Sequence, residues 1–176
     1  VLTPEDAYPV VAIDGQDVRI VPMFLLYDYS FRPSDVAHED AVAWAREGGP
    51  VCSDEQFLPA DPHASRSAWC AARVSATAAR LDALDDGVPN ILVNHWPLRR
   101  DLARLPRIPR FSIWCGTTRT EDWHTRYNAR AVISGHLHMP SSRTIDGVAF
   151  EEVSFGYPKQ WRGRREPADA LRRIRM

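Results

Sequence analysis

Apolar runs broken at Asp-Gly turns mark both ends of the chain. "YPVVAIDGQDVRIVPMFLLYDY" reads as two strands around "DGQD", because Asp14-Gly15 supplies the positive φ that a tight hairpin turn needs. The second run, Val18 to Leu26, is apolar enough for a central strand. Near the other end "SSRTIDGVAFEEVSFGYP" reads as a second hairpin, turning at Asp146-Gly147. Between them lie two stretches with helical spacing. "SDVAHEDAVAWAREGG" would be capped by Ser34 or Asp35 and closed by Gly48. "SRSAWCAARVSATAARLDALDDG" is the clearest helix, with Trp69, Val74, Leu81 and Leu84 on its buried face and Gly87 as its stop. "PVCSDEQFLPADPHAS" is loop-like. Ile91–Val93, "FSIWCG" and "RAVIS" read as short strands, and "TTRTEDWHTRYNA" as a helix capped by Thr117 or Thr118. Strands alternating with helices, with hairpins at both ends, predict an α/β fold with a mixed sheet.

Composition narrows the field. A chain of 176 residues can bury a core, and 44% apolar with 26% charged residues are globular values. The net charge of −1 argues against strong non-specific attraction to nucleic acid or to acidic membranes. The tail "WRGRREPADALRRIRM" is the local exception, read either as a solvated helix face or as a strip that binds phosphate or a partner. Cys52, Cys70 and Cys115 are odd in number and widely spaced, which points to a reducing compartment, the cytoplasm, rather than a disulfide framework. No membrane-length apolar run and no signal peptide is visible.

The chemistry concentrates in histidines. "SGHLHMP" sets His136 and His138 two apart, straight after an apolar run and a glycine. In extended chain they would share a side, but a tight glycine-led loop can break that rule. They can therefore chelate one ion or reach two ions of a close pair. His95 also follows a short apolar strand, beside Asn94, and ligands gather at the carboxyl ends of strands in α/β sheets. Imidazole suits Zn, Fe and Mn. His38 and His63 read as solvated, while His124 is either a helix-surface residue or a pocket liner beside Trp123 and Tyr127. No Gly-rich phosphate loop and no Gly-x-Ser-x-Gly elbow is present. Cys115 reads as a buried hydrophobe rather than a nucleophile.

"VNHWPL" and "SGHLH" resemble the last two metal motifs of the calcineurin-like metallophosphoesterases. "IVPMFLLYDYSF", "SRSAWCAARVSATAARL", "FSIWCGTTRTEDWHTRYNA" and "DGVAFEEVSFGYPKQW" extend the resemblance to an actinobacterial branch of that superfamily. That branch includes hydrolases that release the 4′-phosphopantetheine arm from acyl carrier proteins.

The resemblance implies a fold of two mixed β-sheets sandwiched between helices (αββα). It implies that His95 and His136 bind one divalent ion and His138 a second, the ions being Mn, Fe or Zn. It also implies a phosphoester substrate, an acyl carrier protein being the one suggested, while the net charge, as above, speaks against a membrane or nucleic acid as partner. Tyr27, Tyr29 and Phe31, with Arg99, Arg100 and His124, are the expected lining of a substrate cleft. The superfamily's Asp-x-His, Gly-Asp and Gly-Asn-His motifs are absent, and the chain opens on Val1. Residues 1–176 are therefore expected to be the C-terminal part of one phosphoesterase domain, holding a half-site of little activity, with the general acid upstream. Two alternatives stay open: hydrolysis of another phosphodiester, such as a nucleotide, and a non-catalytic binding module on a decayed scaffold.

Overall fold

The computed structural model describes residues 1–163 together with Glu166 and Ala168, so most of the arginine-dense tail lies outside the described residues. The chain folds as two compact units. The first takes residues 1–24, 84–95 and the described residues from 122 onward; the second takes 25–83 and 96–121.

The first unit is built on a six-stranded mixed sheet, in the order β1 (Val10–Ile13), β2 (Gln16–Pro22), β3 (Asn90–Val93), β4 (Ala129–Ser134), β6 (Val148–Glu152) and β5 (Ser141–Ile145). The two outer pairs, β1 with β2 and β5 with β6, are the expected antiparallel hairpins, turning at Asp14-Gly15 and Asp146-Gly147 with all four residues at positive φ. The inner pairings β2–β3, β3–β4 and β4–β6 are parallel. This follows from the sequence: the inner strands carry apolar runs suited to burial on both faces. Val18, Ile91 and Ala131 form the buried centre of one face, with Ile13, Ile20, Val93, Ile133 and Ala149 packed around them. A fully buried aliphatic side chain contributes about 1.5–3 kcal/mol. The second sheet of an αββα sandwich is not among the described residues.

Where β3 begins beside the middle of β2, the buried Arg19 donates to Asn90 Oδ1 (3.3 Å) and pairs with Asp86. Asn90 Nδ2 in turn donates to Tyr127 O at 2.6 Å. The Asp86 carboxyl is held below the usual carboxylate range, first by the Val88 N–H it accepts and then by Arg19.

The second unit is helical. It contains α1 (Ala41–Glu47), α2 (Asp54–Phe57) and α3 (Arg66–Asp82), with 3-10 turns at Arg100–Leu102, Pro109–Trp114 and Thr118–Thr120. Tyr27, Leu25, Leu98, Ile113 and Trp114 are fully buried in it. Helix α3 starts where Ser65 Oγ accepts from the Ala68 N–H at 3.1 Å, a side-chain cap for one of the four orphan donors.

Several sequence readings need correction. The Val18–Leu26 run is a strand only to Pro22, which brings no N–H to the ladder, and Leu26 turns to φ 63°. "FSIWCG" is not a strand: Pro109 pre-sets the first helical φ, and Ile113 and Trp114 enter the core from a 3-10 turn. The first helix begins at Ala41, after Asp40, rather than at Ser34 or Asp35. The buried stripe of α3 is Arg66, Cys70, Val74, Thr77 and Leu81. Trp69 is half-exposed and stacks on His63, with ring centroids 6.0 Å apart, and Leu84 lies beyond the helix, which ends at Asp82 well before Gly87.

Among the described residues, no helix is long and apolar enough to cross a membrane. Cys52, Cys70 and Cys115 are free and buried.

Candidate metal centre

Two neighbouring parallel strands of the first unit end in histidines. After β3 the Asn94 N–H donates to Ile133 O at 3.0 Å, which carries the β3–β4 pairing one residue further. Gly135 N–H then donates to His95 O, also at 3.0 Å. These two bonds bring the loops after β3 and β4 together at the carboxyl ends of their strands. A Cβ added to Gly135 would lie 4.0 Å from His95 Nδ1, an ordinary contact, so the closeness of the two loops is set by the backbone bonds rather than by the missing side chain.

The consequence is a close histidine pair. His136 Nδ1 lies 3.1 Å from His95 Nε2, with ring centroids 4.9 Å apart and planes at 79°. A hydrogen bond accounts for that distance when one ring carries the proton. So does a shared ion: two nitrogens each about 2.1 Å from one metal stand about 3.0–3.4 Å apart in adjacent octahedral or tetrahedral positions. His95 is exposed and His136 half-exposed, so this edge is open to solvent. The pair fits two ligands of one divalent ion.

His138 is held differently. Its backbone is left-handed (φ 56°), a conformation that turns the loop sharply. Its ring meets Tyr157 edge-on, with centroids 4.5 Å apart. No group of three or more His, Cys, Asp or Glu converges as a metal site among the described residues. The residues thus fit part of a metal site: two nitrogens facing each other and a third histidine set apart.

One residue of this neighbourhood was not singled out from the sequence. Glu152, buried at the end of β6, accepts from Ser134 Oγ at 3.0 Å and from the Ser154 N–H at 3.3 Å. Ser134 is the last residue of β4, directly before Gly135-His136, and Val153 N–H donates to its carbonyl at 2.7 Å. Glu152 therefore anchors the root of the histidine loop. The available signal was its place in "VAFEE": with Val148 and Phe150 inward, Glu152 is inward as well, and a buried carboxylate needs donors.

The other expected site residues fall elsewhere. His124 is buried; its Nε2 lies 2.9 Å from Asp146 Oδ2, and its ring meets Phe150 edge-on. Asp146 is in the turn before β6, so His124 sits at the amino end of that strand, and the structure does not bring it to the histidine pair.

In the second unit Tyr27 is fully buried and donates to Glu55 Oε1 at 3.1 Å. Its place is in the core, with no exposed surface to line a cleft. Tyr29 is half-buried and donates to the same carboxylate at 3.0 Å, as does Trp114 Nε1. Arg66 Nε lies 3.6 Å from it. Burial, with Glu55 as a further cause, raises the tyrosine hydroxyls well above their ordinary pKa. Arg99 holds Asp101 with Nε and Nη2 at 3.0 and 2.9 Å. His38 is not on a helix face; its Nε2 lies 3.1 Å from Asp28 O and 3.2 Å from Ser67 Oγ.

Taken together, the first unit is a mixed α/β sheet whose adjacent parallel strands present paired imidazoles at their carboxyl ends. No protein-family model matches the chain. Over 175 residues, 99% of its length, the chain is 51% identical to the [Acyl-carrier-protein] phosphodiesterase PptH of Mycobacterium tuberculosis. The crystal structure of Phosphopantetheinyl Hydrolase (PptH) from the same organism matches 98% of the chain with a TM-score of 0.91, also at 51% identity. The chain spans 54% of the curated relative's length and 61% of the solved chain.

Proposed function

We propose that the chain is the C-terminal part of a calcineurin-like phosphoesterase domain that hydrolyses a phosphodiester, the holo form of an acyl carrier protein being the substrate. The observation that carries the metal-dependent reading is the His95–His136 nitrogen pair, spaced for two ligands of one ion. Similarity to PptH across almost the whole chain supports the substrate. His138 is assigned to a second ion, and the remaining ligands and the general acid to the upstream part of the domain.

Bound divalent ions would neutralise charge on a phosphoryl group and lower the pKa of a water molecule. The chain's own contribution is positional. His95 and His136 offer nitrogens already converged, so little side-chain entropy is lost on binding. Ser134 and Glu152 fix the strand end from which His136 departs. In the overall reaction water adds to phosphorus, the P–O bond to the carrier's serine breaks, and phosphopantetheine leaves. Free, buried cysteines support a reducing compartment, the cytoplasm.

The test is metal content per chain by elemental analysis, together with release of phosphopantetheine from holo-carrier protein by the longer protein containing this chain. About two ions in the longer protein, with release abolished by His136→Ala, would support the reading. Native-level release by that variant at saturating metal would overturn it, and a longer protein that binds no metal and releases nothing would favour a decayed binding module.

A further inference from the structure

Three neighbouring parallel strands, β3, β4 and β6, end at the same edge of the sheet, and the histidines come from the loops after the first two. The loop after β6 starts from that edge as well. It is tied to the root of the histidine loop, where Val153 N–H donates to Ser134 O at 2.7 Å. Four residues further on, Tyr157 meets His138, with ring centroids 4.5 Å apart and planes at 83°.

The loop is built to hold that tyrosine in place. Gly156 takes φ 84°, and a Cβ there would stand 2.6 Å from Gln160 Oε1, so only glycine lets Gln160 fold back this far. Gln160 Oε1 then accepts from Tyr157 N–H at 2.5 Å, and Gln160 N–H donates to Tyr157 O at 2.8 Å. Pro158 fixes φ directly after the tyrosine. Phe155 stacks on Trp161 with centroids 4.7 Å apart and closes the segment on itself. The backbone of Tyr157 is thus held on both sides, while the residue stays 57% exposed. Burial does not explain where its ring stands.

His138 supplies the reason. Its left-handed backbone is uncommon for a residue with a side chain, and such conformations cluster at functional sites. A histidine that binds a metal is ordinarily aimed by the hydrogen bond that its other ring nitrogen makes. Among the described residues neither ring nitrogen of His138 makes one, and the Tyr157 ring is what its imidazole meets. Edge-to-face aromatic pairs have a preferred geometry, so this contact can aim the ring while leaving both nitrogens for other partners.

We propose that Tyr157 is a positioning residue of the metal centre: its ring sets the imidazole of His138 in the orientation in which that side chain meets its ion. The inference rests on the assignment of His138 to a second ion in the function proposed above. The loops after β3 and β4 supply the nitrogens, and the loop after β6 supplies the surface that aims one of them.

The experiment uses the longer protein containing this chain, with its histidine rings labelled for NMR and its stepwise Mn affinities measured by chelator competition. An aromatic ring displaces the resonances of protons beside it. The His138 ring signal of the metal-free protein, identified by its loss in His138→Ala, should therefore move in Tyr157→Ala and stay near its native position in Tyr157→Phe. The second Mn affinity should fall about threefold to tenfold in Tyr157→Ala, the equivalent of one edge-to-face pair. In Tyr157→Phe, which keeps the ring, it should stay within about twofold. The first Mn affinity, assigned to His95 and His136, should stay within about twofold in both variants. An unmoved His138 signal in Tyr157→Ala, a native second affinity in that variant, or an equal loss at both ions would each overturn the positioning role. The function proposed above would still stand if the native protein binds two ions and His138→Ala loses one. A native protein that takes no second ion would overturn the assignment of His138 and, with it, the role of Tyr157.

Discussion

His95 Nε2 and His136 Nδ1 lie 3.1 Å apart although 41 residues separate them in sequence. The proximity is made by backbone: Asn94 and Gly135 zip the two strand ends together before either side chain is placed. The pair is therefore expected to exist before metal arrives. In the isolated chain, Zn or Mn affinity measured by competition with a chromogenic chelator should fall about tenfold or more in His95→Ala and in His136→Ala. His138→Ala should change that first affinity by less than about twofold. An equal loss in all three variants would mean that one ion takes all three imidazoles, and the assignment of His138 to a separate ion would be wrong.

Glu152 gives a prediction about stability and local order. Glu152→Ala leaves Ser134 Oγ and the Ser154 N–H without their acceptor in a buried place. The cost should be about 1–3 kcal/mol in urea unfolding. Amide exchange should rise between Gly135 and Met139 before it rises in β3. Unchanged exchange in that loop would deny Glu152 its anchoring role.

The Glu55 hub of the second unit is a structural assembly, not a cleft. Glu55→Ala strands the hydroxyl of Tyr27 and the indole N–H of Trp114 and removes the ion pair of Arg66, whose Nη2 keeps Asp54 O and Leu58 O. A loss on the order of 2–4 kcal/mol is expected, with metal affinity unchanged. A loss below about 0.5 kcal/mol would show that water replaces the carboxylate.

Cysteine ionisation predicts an alkaline weakness. Burial pushes the Cys70 thiol up to about 12 and the Cys52 thiol up to about 11, from an ordinary value of 9.0. The unfolded chain then releases these protons first as pH rises. The stabilisation is fully present below pH 9, and it is lost as pH climbs toward 11 and 12. Melting temperatures measured from pH 8 to 11 should fall more steeply for the native chain than for Cys70→Ala. Parallel slopes would mean that the Cys70 thiol is not protected.

His124 separates packing from function. His124→Ala should cost about 1–3 kcal/mol through lost packing on Phe150 and the lost Asp146 bond. Metal affinity should not change. A tenfold loss of affinity would place His124 in the metal site after all.

What the sequence made legible was local. Asp14-Gly15 and Asp146-Gly147 announce their hairpins because a two-residue turn with positive φ is written in two adjacent residues. The histidines after β3 and β4 were legible for a similar reason: each closes its own short apolar run. "FSIWCG" misled because so short a stretch, with Phe111, Ile113, Trp114 and Cys115 apolar, carries no period, and the deciding residue, Pro109, stands outside it. On α3 the size of Trp69 drew attention from a stripe of small and polar residues, Cys70 and Thr77 among them, that holds the true contact face. Glu152 could not be tied to Ser134 without the β4–β6 register, which pairs them across the sheet.

The strand order also sets a timetable. Arg19 and Asn90 are partners across β2 and β3, yet they stand 71 positions apart in the chain. Closing so large a loop costs entropy before any inner ladder bond repays it. The two outer hairpins need only a two-residue turn and can form within microseconds. The sheet is thus expected to grow from its rims inward, with β3 joining late and the His95–His136 edge completed only when it does. A nascent chain that stalls before Asn90 would expose one side of β2 as an open template, so the interval between those two positions is when this protein is most vulnerable to pairing with a neighbour.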